Sequence, residues 1–257
     1  MGLTRILAIV VPMTMAIAAC DRLSTPAQPP GISAQTLEEG ELRFRVVRID
    51  PKTVSNLQIY WRDGDGALFG NPATLSKRLG PKGERVIFAT NAGIFDPTRK
   101  PLGLHIANGE KLVNLNQADG AGNFFLKPNG VFLIANGRAR ICESSEFPAL
   151  DDHVQLATQS GPLLVRSGKV HAAFDPNSTN RKTRSGVGVA PSGDVYFVLS
   201  EDRVTFHELA ALFRDRLNCP NALYLDGEIS KFYGPGFGWN DGSGEFAGMI
   251  AFVEGPK

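Results

Sequence analysis

Cysteine is scarce in this chain, with three residues in 257. That excludes a disulfide-dense small scaffold, and neither Cys142 nor Cys219 has a second thiol or a histidine at zinc-ligand spacing, so structural zinc is not expected. Excess charge is missing too: 27 Lys and Arg stand against 26 Asp and Glu. A balanced chain without basic runs has no electrostatic footprint for nucleic acid. No constellation of metal ligands is visible, and neither a metal nor a cofactor is expected. The uncharged apolar run over residues 6–19 is too short to span a bilayer comfortably.

That run has another reading. Arg5 precedes it, and Ile17-Ala18-Ala19-Cys20 ends it with small residues before a cysteine, the pattern of a secretory signal and of a lipobox. Cleavage before Cys20 with lipid on its sulfur is the expectation, the alternative being an ordinary cleaved signal. Residues 1–19 are then signal peptide and 20–40 a tether containing Pro26, Pro29 and Pro30, semi-extended for that reason. The destination is a bacterial cell envelope, facing the periplasm, and Asp21 after Cys20 resembles an inner-membrane retention signal. In such an oxidising compartment Cys142 and Cys219 either pair or remain as two buried thiols.

Residues 41–257 form the folded domain, with ample apolar and aromatic residues (42% and 9% of the chain) for a core. Leu42, Phe44 and Val46 alternate with Arg43 and Arg45 as a half-buried first strand, and residues 57–61 make a second, closed by Asp63-Gly64-Asp65-Gly66. That tetrad lacks the later acidic positions of a calcium loop and reads as a hairpin turn. A short helix follows over 72–79. Asn108-Gly109, Asn129-Gly130, Asn136-Gly137 and Ser167-Gly168 mark further reversals, with a polar rim loop over 114–123. Thr205 and Glu208 form a capping box that starts a helix with Phe206, Leu209, Ala210, Leu212, Phe213 and Leu217 on one face. Many hairpins, two helices and one strand-helix-strand unit indicate an α+β domain built on a large mixed, twisted β-sheet.

Chemistry concentrates where apolar runs stop. Ala222-Leu223-Tyr224-Leu225 delivers Asp226 and Glu228, separated by Gly227, to the carboxyl end of a strand, where open sheets bind ligands. The strand over 86–90 ends on Asn91, with Gly93 next, which shapes a turn or admits a ligand close to the backbone. Arg181, Lys182 and Arg184 lie in a polar loop that is either solvated or a clamp for phosphate or carboxylate, with Arg184 the best placed.

Four motifs, Asn91-Ala92-Gly93-Ile94-Phe95, Gln159-Ser160-Gly161-Pro162-Leu163, Arg184-Ser185-Gly186-Val187-Gly188 and Leu225-Asp226-Gly227-Glu228-Ile229-Ser230, resemble in order and spacing the phosphodiester glycosidase domain family. Glu228 and Ile229 stand where that pattern has two glycines. The resemblance implies hydrolysis of the sugar–phosphate bond in a glycosyl-1-phosphodiester, of N-acetylglucosamine type or related. Arg184 and Lys182 would meet the phosphate. Asp226 or Glu228 would serve as base or nucleophile, and Asn91, Gly93, Gln159, Ser160, Gly161 and Ser230 would bind substrate. The competing implication is an envelope lipoprotein that binds such glycans without turnover, and a purely structural envelope protein is a third reading.

Overall fold

The computed structural model describes residues 29–150 and 153–255. The signal segment, Cys20 and the first part of the expected tether lie outside the described residues. In chain order the strands and helices are β1 (Ile32–Glu39), β2 (Leu42–Ile49), β3 (Leu57–Tyr60), α1 (Pro72–Leu79), β4 (Arg85–Asn91), β5 (His105–Ala107), β6 (Glu110–Val113), β7 (Gly130–Ala135) and β8 (Arg138–Glu143). Then come β9 (Val154–Ser160), β10 (Leu163–Arg166), β11 (Lys169–Val170), β12 (Ser185–Val189), β13 (Val195–Ser200), α2 (Phe206–Ala211), β14 (Asn221–Tyr224), β15 (Phe232–Tyr233) and β16 (Met249–Glu254).

The strands form three sheets, ordered β1-β2-β13-β12-β14-β10-β11, β15-β4-β16-β3 and β6-β5-β9-β7-β8. The α+β class holds. The single mixed sheet does not, because every strand pair among the described residues is antiparallel. Hairpin turns account for the pairs of consecutive strands such as β1–β2 and β7–β8, since a two-residue reversal can only return a strand antiparallel. Asn108-Gly109 and Asn136-Gly137 turn with both residues at positive φ, the conformation that matches strand twist. In the strand-helix-strand unit, β13 and β14 are each antiparallel to β12 between them and so run in the same direction.

The core sits where the sheets meet. Phe197 of β13 lies 5.6 Å from Phe88 of β4 and 5.9 Å from Phe132 of β7, ring centre to ring centre, so one side chain touches all three sheets. A second apolar layer fills the other face of the seven-stranded sheet under α2, with Val46, Val198, Leu209, Phe213 and Ala222. Alternate glycines on β12 make that packing possible. A Cβ on Gly188 would stand 2.6 Å from Phe213 and 2.8 Å from the Cys219 sulfur. α2 begins with its capping box, Glu208 N donating to Thr205 Oγ1 at 3.1 Å and Thr205 N to Glu208 Oε2 at 2.8 Å, and widens into a π turn at Leu212–Arg216.

Several expectations are corrected here. The last part of the presumed tether is β1, an edge strand paired residue for residue with β2. β2 itself is covered on both faces in its second half, Val46 toward α2 and Val47 and Ile49 toward the central core. Asn129-Gly130 is not a reversal: Asn129 follows the cis bond Lys127-Pro128 and donates through Nδ2 to the Phe124 carbonyl at 2.9 Å. Cys142 and Cys219 do not pair. Cys142 sits on β8 and Cys219 behind the seven-stranded sheet, and burial pushes their thiols up to about 11 and about 12.

Candidate active site

The ends of four strands converge at one edge of the sheet junction. β4 ends on Asn91, β9 ends on Ser160, β12 begins at Ser185, and the chain leaving β14 carries Asp226. Ser185 N donates to the Asp226 carbonyl at 2.9 Å and Leu225 N to the Ser185 carbonyl at 3.0 Å, so the β12–β14 ladder continues up to the carboxylate. Ser160 Oγ donates to the Leu225 carbonyl at 2.9 Å from the five-stranded sheet. Asn91 Nδ2 donates to Ser185 Oγ at 3.2 Å from the four-stranded sheet, and Ser185 Oγ and Ser230 Oγ share a hydrogen bond of 2.8 Å. Three sheets thereby fix the backbone on both sides of Asp226.

Asp226 is the half-buried end of this assembly. Its Oδ1 accepts from Gly227 N at 2.7 Å, but desolvation dominates and raises its carboxyl from 3.8 to about 6. Beneath it, Tyr224 is buried and its hydroxyl is pushed well up by burial and by the nearby Asp226 charge; it interacts with Arg184 and with Asn123 of the rim loop.

Arg184 is 2% exposed. Its Nε donates to the Val204 carbonyl at 2.9 Å, one Nη to the Asn180 carbonyl at 3.0 Å, and its guanidinium stacks 3.7 Å over Phe206. The expected phosphate clamp is thus committed to the protein itself. Desolvation lowers its proton affinity, and Tyr224 and Glu228 oppose that.

Gly93, Gln159 and Gly161 also turn out to be building parts. A Cβ on Gly93 would stand 2.2 Å from the Gln159 carbonyl oxygen, so the close approach there is by protein backbone. The Gln159 side chain accepts from Leu104 N and Asn116 N at 3.0 and 2.9 Å and donates to the Asn116 carbonyl at 2.6 Å, which ties down the rim loop. Gly161 packs against the Phe124 carbonyl, ahead of the cis Gly161-Pro162 bond.

Glu228 does not join Asp226. It is exposed, 3.3 Å from Arg203 and 3.9 Å from Lys182. Arg203, Ser185 and Tyr224 complete the site although none was singled out. Ser185 lies beside Arg184 at the start of an apolar run, whereas Asn91 and Asp226 stand where such runs stop. A cavity of about 700 Å³ lies elsewhere, between β3 and the five-stranded sheet, and contains none of these residues.

Residues 84–234 match the phosphodiester glycosidase family. The uncharacterized protein YigE of Escherichia coli strain K12 is 36% identical over 197 residues, 77% of this chain and 76% of its own length. Among solved structures, the catalytic domain of zebrafish N-acetylglucosamine-1-phosphodiester alpha-N-acetylglucosaminidase, auto-inhibited by pro-peptide, matches with a TM-score of 0.60 at 14% identity, over 86% of this chain and 81% of that one. A hypothetical protein from Synechocystis gives 0.53 at 15% identity, over 87% and 62% of the respective chains. At such identities these two likenesses speak for the fold alone. With the family match spanning more than half of the sequence, the chain belongs to the phosphodiester glycosidase family.

Proposed function

We propose that this protein hydrolyses the bond between a sugar anomeric carbon and phosphate in a glycosyl-1-phosphodiester, of N-acetylglucosamine type or related. The observation that carries this reading is Asp226, a half-buried carboxyl held at about 6, fixed by three sheets at the edge of a phosphodiester glycosidase fold. Cleavage develops positive charge on the anomeric carbon and releases a phosphomonoester, which leaves without a side-chain acid on the bridging oxygen. At neutral pH Asp226 is ionised. It takes a proton from the water that adds to the anomeric carbon, or it attacks that carbon itself and water later frees the sugar. The electron pair of the broken bond goes with the phosphate, and Lys182 and Arg203, paired with Glu228 two residues beyond Asp226, would meet that charge. Asn91, Ser160, Ser185 and Ser230 position the Asp226 backbone, and Arg184 positions Tyr224.

The test is release of free sugar from N-acetylglucosamine-1-phosphodiesters by the purified chain from Cys20 onward, alongside Asp226→Asn. Turnover by wild type that the substitution removes supports the reading. Wild type that binds these compounds without cleaving them sinks it in favour of a glycan-binding envelope protein, a reading favoured by the Glu228 carboxylate already seated on the two cations. Neither binding nor cleavage points to a structural role.

The protein is also proposed to be tethered to the bacterial envelope by lipid on Cys20, facing the periplasm. Ile17-Ala18-Ala19-Cys20 supports this. Metabolic labelling with a fatty acid should mark wild type and not Cys20→Ala; labelling of neither removes the tether.

A further inference from the structure

Two exposed cations meet one exposed carboxylate on the loop that carries Asp226. Glu228 Oε1 lies 3.3 Å from Arg203 Nη2 and 3.9 Å from Lys182 Nζ. The other two cations of this region are committed elsewhere, Arg181 to Glu208 at 2.9 Å and Arg184 to buried carbonyls and an aromatic ring. The Lys182 segment flanks the Asp226 loop directly, the Thr183 carbonyl oxygen lying 3.6 Å from where a Cβ on Gly227 would stand. Next to Asp226 there is therefore a triad with two positive charges and one negative.

We infer that Glu228 selects the charge of the phosphate group admitted here, favouring a monoanionic phosphodiester over the dianion of a phosphomonoester or a diphosphate. The inference rests on the hydrolytic reading above for the identity of the ligand. A monoanion offsets the single positive charge the triad has left, and Asp226, ionised beside it above about 6, adds to the repulsion of any further negative charge. A dianion brings a second charge with no cation for it and holds it beside the Glu228 carboxylate. At a solvent-exposed site, repulsion between unit charges a few ångströms apart is worth a factor of about ten in affinity.

The same device acts after the bond breaks. Hydrolysis turns the monoanionic diester into a dianionic monoester, so the group that was neutralised on entry is repelled on exit. Glu228 thereby speeds release of the phosphomonoester.

The experiment titrates wild type, Glu228→Gln and Lys182→Gln/Arg203→Gln with N-acetylglucosamine-1-phosphate, its methyl diester and inorganic pyrophosphate at about pH 8, where the monoester is a dianion. Wild type is expected to prefer the diester. Glu228→Gln should tighten the monoester about tenfold more than it tightens the diester, and pyrophosphate, which carries more charge still, by at least as much as the monoester, with an unchanged melting temperature because the residue is exposed. The double variant should lose all three ligands. Equal tightening of every ligand, an unchanged preference, or no binding by either protein overturns the inference and leaves Glu228 as a surface ion pair. Sugar release, measured separately, keeps the two readings apart. Turnover that depends on Asp226 with no change of preference in Glu228→Gln removes this inference alone, and a changed preference without turnover removes the hydrolase alone.

Discussion

Replacing Asp226 by Asn should abolish the chemistry and stabilise the fold at neutral pH. The side chains are nearly the same shape, and an Asn oxygen can still accept from Gly227 N as Asp226 Oδ1 does at 2.7 Å. What changes is the charge. Burial raises the folded carboxyl from 3.8 to about 6, so the folded chain holds this proton more tightly than the unfolded chain does. The stability this group contributes is therefore present at low pH and lost as pH rises through about 6. At about 1.4 kcal/mol per tenfold change in proton affinity, the ionised form costs about 3 kcal/mol, and solvent screening of a half-exposed group brings that to about 1.5 kcal/mol. In a domain of this size the gain for Asp226→Asn is about 3–6 °C in melting temperature at about pH 7.5, shrinking toward zero near pH 4. Thermal melts at the two pH values give the number. In parallel, wild-type kcat/KM should rise with pH through about 6 as the carboxyl ionises, and the variant should lose roughly a thousandfold. A variant that is less stable than wild type at pH 7.5, or a difference that is the same at both pH values, would refute the desolvated-carboxyl account.

Three further substitutions test the supports. Arg184→Ala leaves the Val204 and Asn180 carbonyls without their donors and should cost about 3 kcal/mol in urea unfolding; Arg184→Lys recovers little of it, whereas a residue that only clamped phosphate would change KM and leave the midpoint alone. Gly188→Ala drives a methyl group against Phe213 and the Cys219 sulfur and should cost about 1–3 kcal/mol, read as a lower melting temperature. His105 is fully buried with neither ring nitrogen hydrogen-bonded, and desolvation lowers it to about 4. Its contribution is present above its unfolded value of 6.5 and lost as pH falls toward 4, so His105→Leu should flatten the acid side of the stability curve; an unchanged curve would exclude a neutral buried imidazole.

What could be read from the chain in advance was local chemistry. The capping box at Thr205 and Glu208, the helix Pro72–Leu79 and the Asn-Gly turns at 108–109 and 136–137 are each decided by a few neighbouring residues, and each forms as expected. Asn129-Gly130 carries the same dipeptide and fails because its Asn side chain is drawn to the Phe124 carbonyl, which outweighs the local preference. β1 was missed for the opposite reason. Ile32 is buried, but most of Ser33-Ala34-Gln35-Thr36-Leu37-Glu38-Glu39 is polar, and what holds it is the backbone ladder to β2, which leaves no apolar alternation to read. In the site, the ends of apolar runs pointed to Asn91 and Asp226 and the family resemblance added Ser160 and Ser230, and these do come together. The roles were harder. Arg184 and Gln159 carry the groups a ligand would want, and only the three-dimensional structure shows those groups bound to carbonyls and amides of the chain. The contact of Asn91 with Ser185, 94 residues later, depends on the angle at which two sheets meet, which no local pattern encodes.

The two buried titrating groups act against each other. Between about 4 and about 6, the fold loses stability through Asp226 as pH rises and gains it through His105, since one binds its proton more tightly in the fold and the other less tightly. After screening the half-exposed Asp226 contributes about 1.5 kcal/mol and the fully buried His105 about 3 kcal/mol, so wild type loses a net of about 1.5 kcal/mol toward the acid end of that window as far as these two are concerned. The opposition does not arise from contact between them. Asp226 leaves the end of β14, whereas His105 lies on β5 in register with Thr158 and against Gly248. Each single substitution should therefore expose the slope of the other group: Asp226→Asn becomes more acid-sensitive than wild type and His105→Leu becomes base-sensitive. Because the two do not touch, the double variant should show the sum of the two effects, a stability profile flat across the window where wild type keeps a net acid-side loss.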